Sequence, residues 1–538
     1  MSILSPIARA TARTLSFLDR DVRDPARADG QPRGIAVLIA LVSLSLLSVV
    51  VVDFMYSTRV NLAMASNTRD KAKSYYLAKS AANISSLVLS FQFALQSESK
   101  GSKDDMARMI NKAMRQSNFQ IYSYVDLFIK PFSSGSIQTP IGGVNLSDSG
   151  VTGFGGIKGE FEAEIVPESG RISLSDFNKI KIEDKFLAPL CSLVADNQYD
   201  PIFERKDEVD GGSFTRQKVL GNIVDFIDPN TGPLRITNEC TVESDGANSG
   251  GEDRPYDRAG EDARASRALR PTNARLTHVE DLHRIHGVNQ DFMTAFGQQL
   301  TVYDVGKPNI NIATAPVFYS VLCNNVELKG ASRSDASGFQ LCSRSPAVAA
   351  EVLMLSLALD GVRQYFSDPL SVLLSYVGTS APRLLPSAKK GQATAFRTLS
   401  QLPSYIRDFQ KDPALFAQFI QYSPSYQQLV ALQPQLAVDP INPQPINWQV
   451  GFSRSGLVRD VSTKTPSIYR IKGIGRYGST QTTIETVVDF AKTTRRLPDE
   501  ASVEESDQDA EDIKRAKEAI RAAREEMQKG RVLFWREY

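Results

Sequence analysis

Residues 32–53 read PRGIAVLIALVSLSLLSVVVVD. From Ile35 to Val52 the chain carries no charge, and Ser43, Ser45 and Ser48 are its only polar members. As an α-helix this run spans roughly 27 Å, about one hydrocarbon core. A buried core helix of this composition would need apolar cover on every face. A secretory signal has a shorter apolar region, roughly 7–15 residues. The triplet Ala63-Met64-Ala65 imitates a cleavage site, but it lies well beyond the apolar end. The pattern therefore predicts a membrane span.

The helix does not stop at the membrane. Asp53 to Gln96 contains neither Pro nor Gly, and Ala81, Ile84, Val88 and Phe91 fall at helical spacing. One continuous helix over about 35–100 is expected, apolar all round at first and amphipathic later, with Gly101 as its stop.

Bulk composition sets further bounds. A chain of 538 residues is too long for one ordinary core. Its 62 basic and 61 acidic residues nearly cancel, so no overall basic field supports general nucleic-acid binding. The four cysteines, Cys191, Cys240, Cys323 and Cys342, lack C-x-x-C spacing. A thiolate zinc site is not expected, whereas disulfides would form outside the cytoplasm. The shortest closures are Cys191–Cys240 and Cys323–Cys342, but four cysteines allow three pairings.

The Gly34 junction before the apolar run resembles the class III signal of type IV pilins and pseudopilins. That resemblance implies cleavage by a prepilin peptidase between Gly34 and Ile35, followed by methylation at Ile35. The leader arginines Arg9, Arg13, Arg20, Arg23, Arg27 and Arg33 suit a cytoplasmic side, diluted by four aspartates. Major pilins carry Glu at the fifth mature position, where this chain has Ile39. A carboxylate inside lipid is costly without a partner, and the family's Glu is thought to pair with the subunit above. Its absence resembles the K-type minor pseudopilin of the type II (general) secretion system, a tip subunit.

Later segments carry the same resemblance in the same order. Phe161–Asp176 (FEAEIVPESGRISLSD) alternates like a half-buried strand, then leads into a helix start; Ser173 and Ser175 stand where the family has Asn. Val219–Leu234 (VLGNIVDFIDPNTGPL) is similar to a D-W-I-D segment with Phe226 for Trp, and GGEDRPYD at 250–257 to a G-x-E-D-x-Y element. PNINIATAP (308–316) is similar to a strand of the I-N-V-N-T-A type. Pro466–Phe490 reads as two strands flanking a Gly-Ser turn, with Tyr469 and Ile471 on one and Thr483, Glu485 and Val487 on the other. The stretches 323–348 and 376–394 read as loops. Residues 513–529 read as a charged helix, followed by the apolar ending VLFWREY. That ending is either the tail of a solvated helix or a docking peptide anchored by Leu533, Phe534 and Trp535.

The expected fold is α+β: a long N-terminal transmembrane helix, a pilin-like antiparallel sheet and a large, mainly helical inserted domain. The expected segments are a prepilin leader (1–34), the N-terminal helix (35–100), the first part of the pilin-like domain (101–171), the inserted domain with two helix-turn-helix units (172–440), the last strands of the pilin-like domain (441–492) and a charged helical extension (493–538).

Three candidate sites remain. The resemblance implies calcium, for which the oxygen-bearing Asp225, Asp228, Asn230, Glu252, Asp253 and Asp257 are candidates; their spacing is not that of an EF-hand, and a solvated acidic turn is the plainer alternative. His278, His283 and His286 fall within nine residues, with His283 and His286 on one helix face, yet no convincing ligand set completes them. Leu276–Phe296 and Phe396–Phe416 each read as helix, turn, helix. The first resembles a helix-hairpin-helix DNA-backbone module with one hairpin Gly instead of two, and a helical packing unit is the simpler reading. No catalytic motif is present, so turnover is not expected.

By resemblance the chain is a non-enzymatic, single-pass inner-membrane subunit, with its N-terminus cytoplasmic and its bulk periplasmic. It would start and cap a pseudopilus for export across the outer membrane. The implied partners are the I- and J-type minor pseudopilins, the major pseudopilin, the inner-membrane assembly platform and the prepilin peptidase, with no nucleic acid. The alternatives are a minor pilin of a type IV pilus and a membrane-anchored DNA-binding protein.

Overall fold

The computed structural model describes residues 33–98, 136–139, 142–145, 159–179, 182–206, 213–230, 232–244, 270–330, 338–367, 394–491 and 530–538, with a few isolated positions besides. The chain falls into two units, Met1–Ala72 and Lys73–Tyr538. A single helix, α1 (Arg33–Glu98), contributes to both.

In the first unit α1 carries the uncharged run. Its large apolar side chains from Ile35 to Val52 are each between 44% and 67% exposed. That exposure removes the buried-core-helix reading. Among the described residues this is the one single helix long and apolar enough to cross a membrane.

In the second unit α1 packs on a four-stranded antiparallel sheet. Two short strands, β1 (Ser136–Thr139) and β2 (Gly142–Asn145), form a separate hairpin. β3 (Glu160–Pro167) then pairs with a much later strand. The sheet order is β12-β11-β10-β3, from β10 (Ile468–Tyr477), β11 (Thr480–Asp489) and β12 (Arg531–Glu537). β10 and β11 form the expected hairpin, with Arg470 opposite Val487 and Lys472 opposite Glu485. Its turn needs Gly478, whose φ of 59° is costly for a side chain with a Cβ.

The helix face that meets this sheet is made of small residues. Ser74, Ala78, Ala81, Ala82 and Ser85 are fully or almost fully buried. Opposite them β10 presents Gly473 and Gly475, where a Cβ would strike the backbone of α1. Larger side chains close the ends of this contact. Leu77, Ala81 and Val88 meet Phe161 and Ala163, while Leu89 and Phe93 meet Tyr469, Ile471, Ile484 and Val488. Each large apolar side chain buried here contributes roughly 1.5–3 kcal/mol. The expected stripe is thus shifted: Ala81 and Val88 are buried, but Phe91 is 55% exposed and Phe93 takes the inward place.

The chain between β3 and β10 is mostly helical. Within it β4 (Ile172–Ser173) and β7 (Leu300–Thr301) pair in parallel. β5 (Leu234–Ile236) pairs with β6 (Val242–Ser244), and β8 (Val326–Leu328) with β9 (Val450–Phe452). The helices that matter below are α2 (Asp184–Leu193), α3 (Arg216–Ile227), α4 (Gln290–Phe296), α5 (Ala315–Asn324), α6 (Gly338–Arg344), α7 (Pro346–Ser367), α8 (Gln401–Lys411) and α9 (Pro413–Ile420). One continuous apolar core runs from Ile172 to Val461 and takes in Ile468 and Val487 from the sheet. The sheet therefore has α1 on one face and the helical body on the other.

Disulfides join Cys191 to Cys240 and Cys323 to Cys342. They tie α2 to the segment after β5, and α5 to α6. In the chain-entropy account, closures of 49 and 19 residues stabilise by about 4 and about 3 kcal/mol.

Three sequence expectations need correction. PNINIATAP is not a strand: Asn309 makes one isolated bridge to Ser462, and its carbonyl then accepts from the amides of Ile312 and Ala313, turning the chain into α5. The 323–348 stretch contains β8 and α6 and is no plain loop. VLFWREY is not the tail of a helix: all but its last residue lies in β12, paired with β11. The helix expected at 513–529 lies outside the described residues except for Arg515 and Glu518, and most of 376–394 lies outside them as well.

Candidate functional site

Gly34 and Ile35 lie in the first turn of α1, and a Cβ on Gly34 would meet nothing within 4 Å. Ile35 is 57% exposed. Ile39, one turn on, is 59% exposed and brings no charge.

The acidic segment follows α3. Helix α3 starts at Thr215, whose hydroxyl caps the amide of Lys218, and ends at Asp228. Asp225 accepts from the amide of Leu234 at 2.9 Å, tying β5 to the helix. Asp228 is fully buried. Its Oδ2 accepts from Asn230 Nδ2 at 2.6 Å, while its Oδ1 has no hydrogen-bond partner. Burial pushes its carboxyl up to about 6, against the pull of the Asn230 hydrogen bonds. Glu252 is buried too, and Asp253 and Asp257 lie outside the described residues. Among the described residues no group of three or more His, Cys, Asp or Glu side chains converges on one point. One observation fits a hard cation here: the open, buried Asp228 Oδ1. Asn230 does not present its oxygen to the same point, since Oδ1 accepts from the amide of Gly232 at 2.9 Å.

The histidines do not form a set. His278 is buried and caps a 3-10 turn over Val279–Arg284; its Nδ1 accepts from the amide of Glu280 at 3.2 Å. The proton is therefore on Nε2, which donates to Glu485 Oε1 at 3.3 Å. His283 is exposed, and His286 leaves the helical turn to tilt against Phe214 at 5.0 Å. The first helix-turn-helix unit is this 3-10 turn followed by α4. Its Gly287, at φ 94°, packs against Phe214 and Val219, and its carbonyl accepts from Arg205 Nη2 at 2.9 Å. The hairpin thus faces the protein interior. The second unit is α8 and α9, joined at Asp412, which caps α9 by accepting from Ala414 and Leu415.

Sequence reasoning missed a charged seam between the sheet and the helical body. Glu168 is fully buried and accepts from Arg470 Nε at 2.7 Å and Arg171 Nη1 at 3.4 Å. Arg470 Nη1 reaches Glu485 Oε1 at 3.0 Å. Glu485 also accepts from His278 and, through Oε2, from Tyr538 at 3.0 Å. The hydrogen bond from His278 is the main reason its carboxyl is held down to about 2; burial opposes, and Arg470 adds to the lowering. Burial pulls the Arg470 guanidinium down, but Glu168 and Glu485 outweigh it and it ends above its ordinary value. Glu168 and Arg470 are 302 residues apart. The one signal in the sequence was Glu485 sharing a strand face with Val487. A charge on a buried face needs a partner.

The sequence matches no protein-family model and no curated protein.

Proposed function

We propose that this chain is a K-type minor pseudopilin that starts and caps the pseudopilus of a type II secretion system. The observation that carries the reading is α1: an exposed, uncharged 18-residue start directly after Gly34, with Ile39 where an assembling subunit needs a carboxylate. The same helix then presents a small-residue face to an antiparallel sheet. Apolar packing between such helices lowers the cost of starting a fibre, and the helical body blocks addition above. Cleavage at Gly34–Ile35 by a prepilin peptidase would release the helix for assembly. The two disulfides suit a periplasmic head. Calcium, which the resemblance implies, would draw on Asp228 Oδ1, a buried oxygen of the acidic segment with no hydrogen-bond partner, and would neutralise a buried carboxylate.

Deletion of the gene tests this. Exported enzymes should accumulate in the periplasm and return to the medium on complementation. Normal export with loss of surface pili would instead favour the type IV pilus reading.

A further inference from the structure

β12 is the outermost strand of the sheet and pairs with β11 alone. The β10–β11 hairpin closes through Gly478 and Ser479, whereas 41 residues (490–530) lie between β11 and β12. β12 buries no side chain fully: Val532 is 57% exposed, Trp535 39% and Tyr538 50%. Leu533 and Phe534 are half-buried against the core of the helical body, and no other strand pair depends on β12.

Its contacts define what the β11 edge selects. Alternate residues Phe534, Arg536 and Tyr538 point toward the helical body. Phe534 stacks on His278 with ring centroids 4.5 Å apart. Arg536 pairs with Glu280, and the Tyr538 hydroxyl donates to Glu485 at 3.0 Å. Backbone bonds hold the register: the Tyr538 amide donates to the Thr483 carbonyl at 2.9 Å, and the Thr483 amide returns the bond at 3.3 Å. Thr486 Oγ1 donates to the Phe534 carbonyl at 3.0 Å. Stripped of β12, this edge is an aromatic platform followed by two carboxylates, beside a row of backbone groups ready to pair.

We propose that β12 is a releasable strap, and that the β11 edge beneath it docks an extended strand of another polypeptide with the same chemistry: an aromatic residue, a basic residue two positions on and a tyrosine after that. Main-chain pairing supplies the affinity, and Glu280 and Glu485 select the basic, hydroxyl-bearing strand. The inference stands on the head alone, independent of the secretion reading.

Hydrogen exchange on the full chain is the first test. Amides of 531–537 should exchange at least about tenfold faster than those of β10. The second test uses a labelled synthetic peptide of residues 530–538. Phe534→Ala in the full chain loosens its own strap, and this variant should take up the peptide at least about tenfold more tightly than the unaltered chain. The same peptide carrying Arg536→Glu should not be taken up. Protection of β12 equal to that of β10 would overturn the proposal. So would absence of uptake by a Phe534→Ala chain whose β10 amides stay protected, or equal uptake of both peptides.

Discussion

Gly473 passes so close beneath α1 that a Cβ built on it would stand 2.5 Å from the carbonyl oxygen of Ala78 and 3.0 Å from the amide nitrogen of Ala82. Those are backbone atoms of a helix, which cannot swing aside. Gly473→Ala should therefore force helix and sheet apart and cost about 1–3 kcal/mol or more, read as a lower midpoint in denaturant at unchanged slope. Gly306→Ala is the contrast: it meets nothing within 4 Å, and its cost is that of its φ of 66° alone.

The seam at Glu485 gives stability a pH dependence with a fixed sign. Its folded carboxyl sits at about 2, below its ordinary 4.5, because His278 donates to it, with Arg470 and Tyr538 adding to the effect. A depressed carboxyl contributes stability above its unfolded pKa and loses it as pH falls from about 4.5 toward about 2. With allowance for solvent screening, Glu485→Gln should cost about 1–2 kcal/mol at neutral pH. The gap between the two proteins should close progressively below about pH 4.5 in acid unfolding curves.

Asp228 has the opposite sign. Burial raises its folded carboxyl to about 6, so the folded state holds the proton more tightly than the unfolded chain does. Stability falls as pH rises from 3.8 through about 6 and stays low above it. Asp228→Asn should stabilise the metal-free protein at pH 7 by about 1–2 kcal/mol, seen as a higher Tm. Under the calcium proposal, chelation should lower the Tm of the unaltered protein and leave that of Asp228→Asn unchanged.

Ile39→Glu places a carboxylate in the apolar run of α1. Insertion scales put an unpaired acidic residue at about 2.5–3.5 kcal/mol at mid-membrane, and the cost is smaller at Ile39, near the start of the run. For a subunit with nothing above it, the substitution should reduce membrane-inserted protein and export together. Unchanged export would mean that a partner meets the new carboxylate.

These sites differ in how far the sequence announced them. α1 was legible as one long helix because its uncharged start is followed by a stretch, Asp53 to Gln96, with neither Pro nor Gly. The β10–β11 hairpin was legible because its turn is two residues long and its strands alternate. Phe91 was misplaced and Phe93 missed because the inward stripe is defined by alanines and serines, which hydropathy ranks low. β12 was missed because its pairing is remote: 41 residues (490–530) separate it from β11, and a short strand that pairs at an edge looks like any apolar ending. The seam was illegible for the same reason, since Glu168, His278, Arg470 and Glu485 meet only once the body folds onto the sheet. Asp228 was named from the sequence, but its open oxygen is visible only in the fold.

The central claim is that the chain begins its working life at Ile35. The most direct measurement is the mass of the N-terminal peptide, from membranes with and without the prepilin peptidase. A methylated peptide starting at Ile35 is expected only when the peptidase is present. An N-terminus at Ser66, as an ordinary signal peptidase would leave, or an unprocessed Met1 in both membranes, would contradict it.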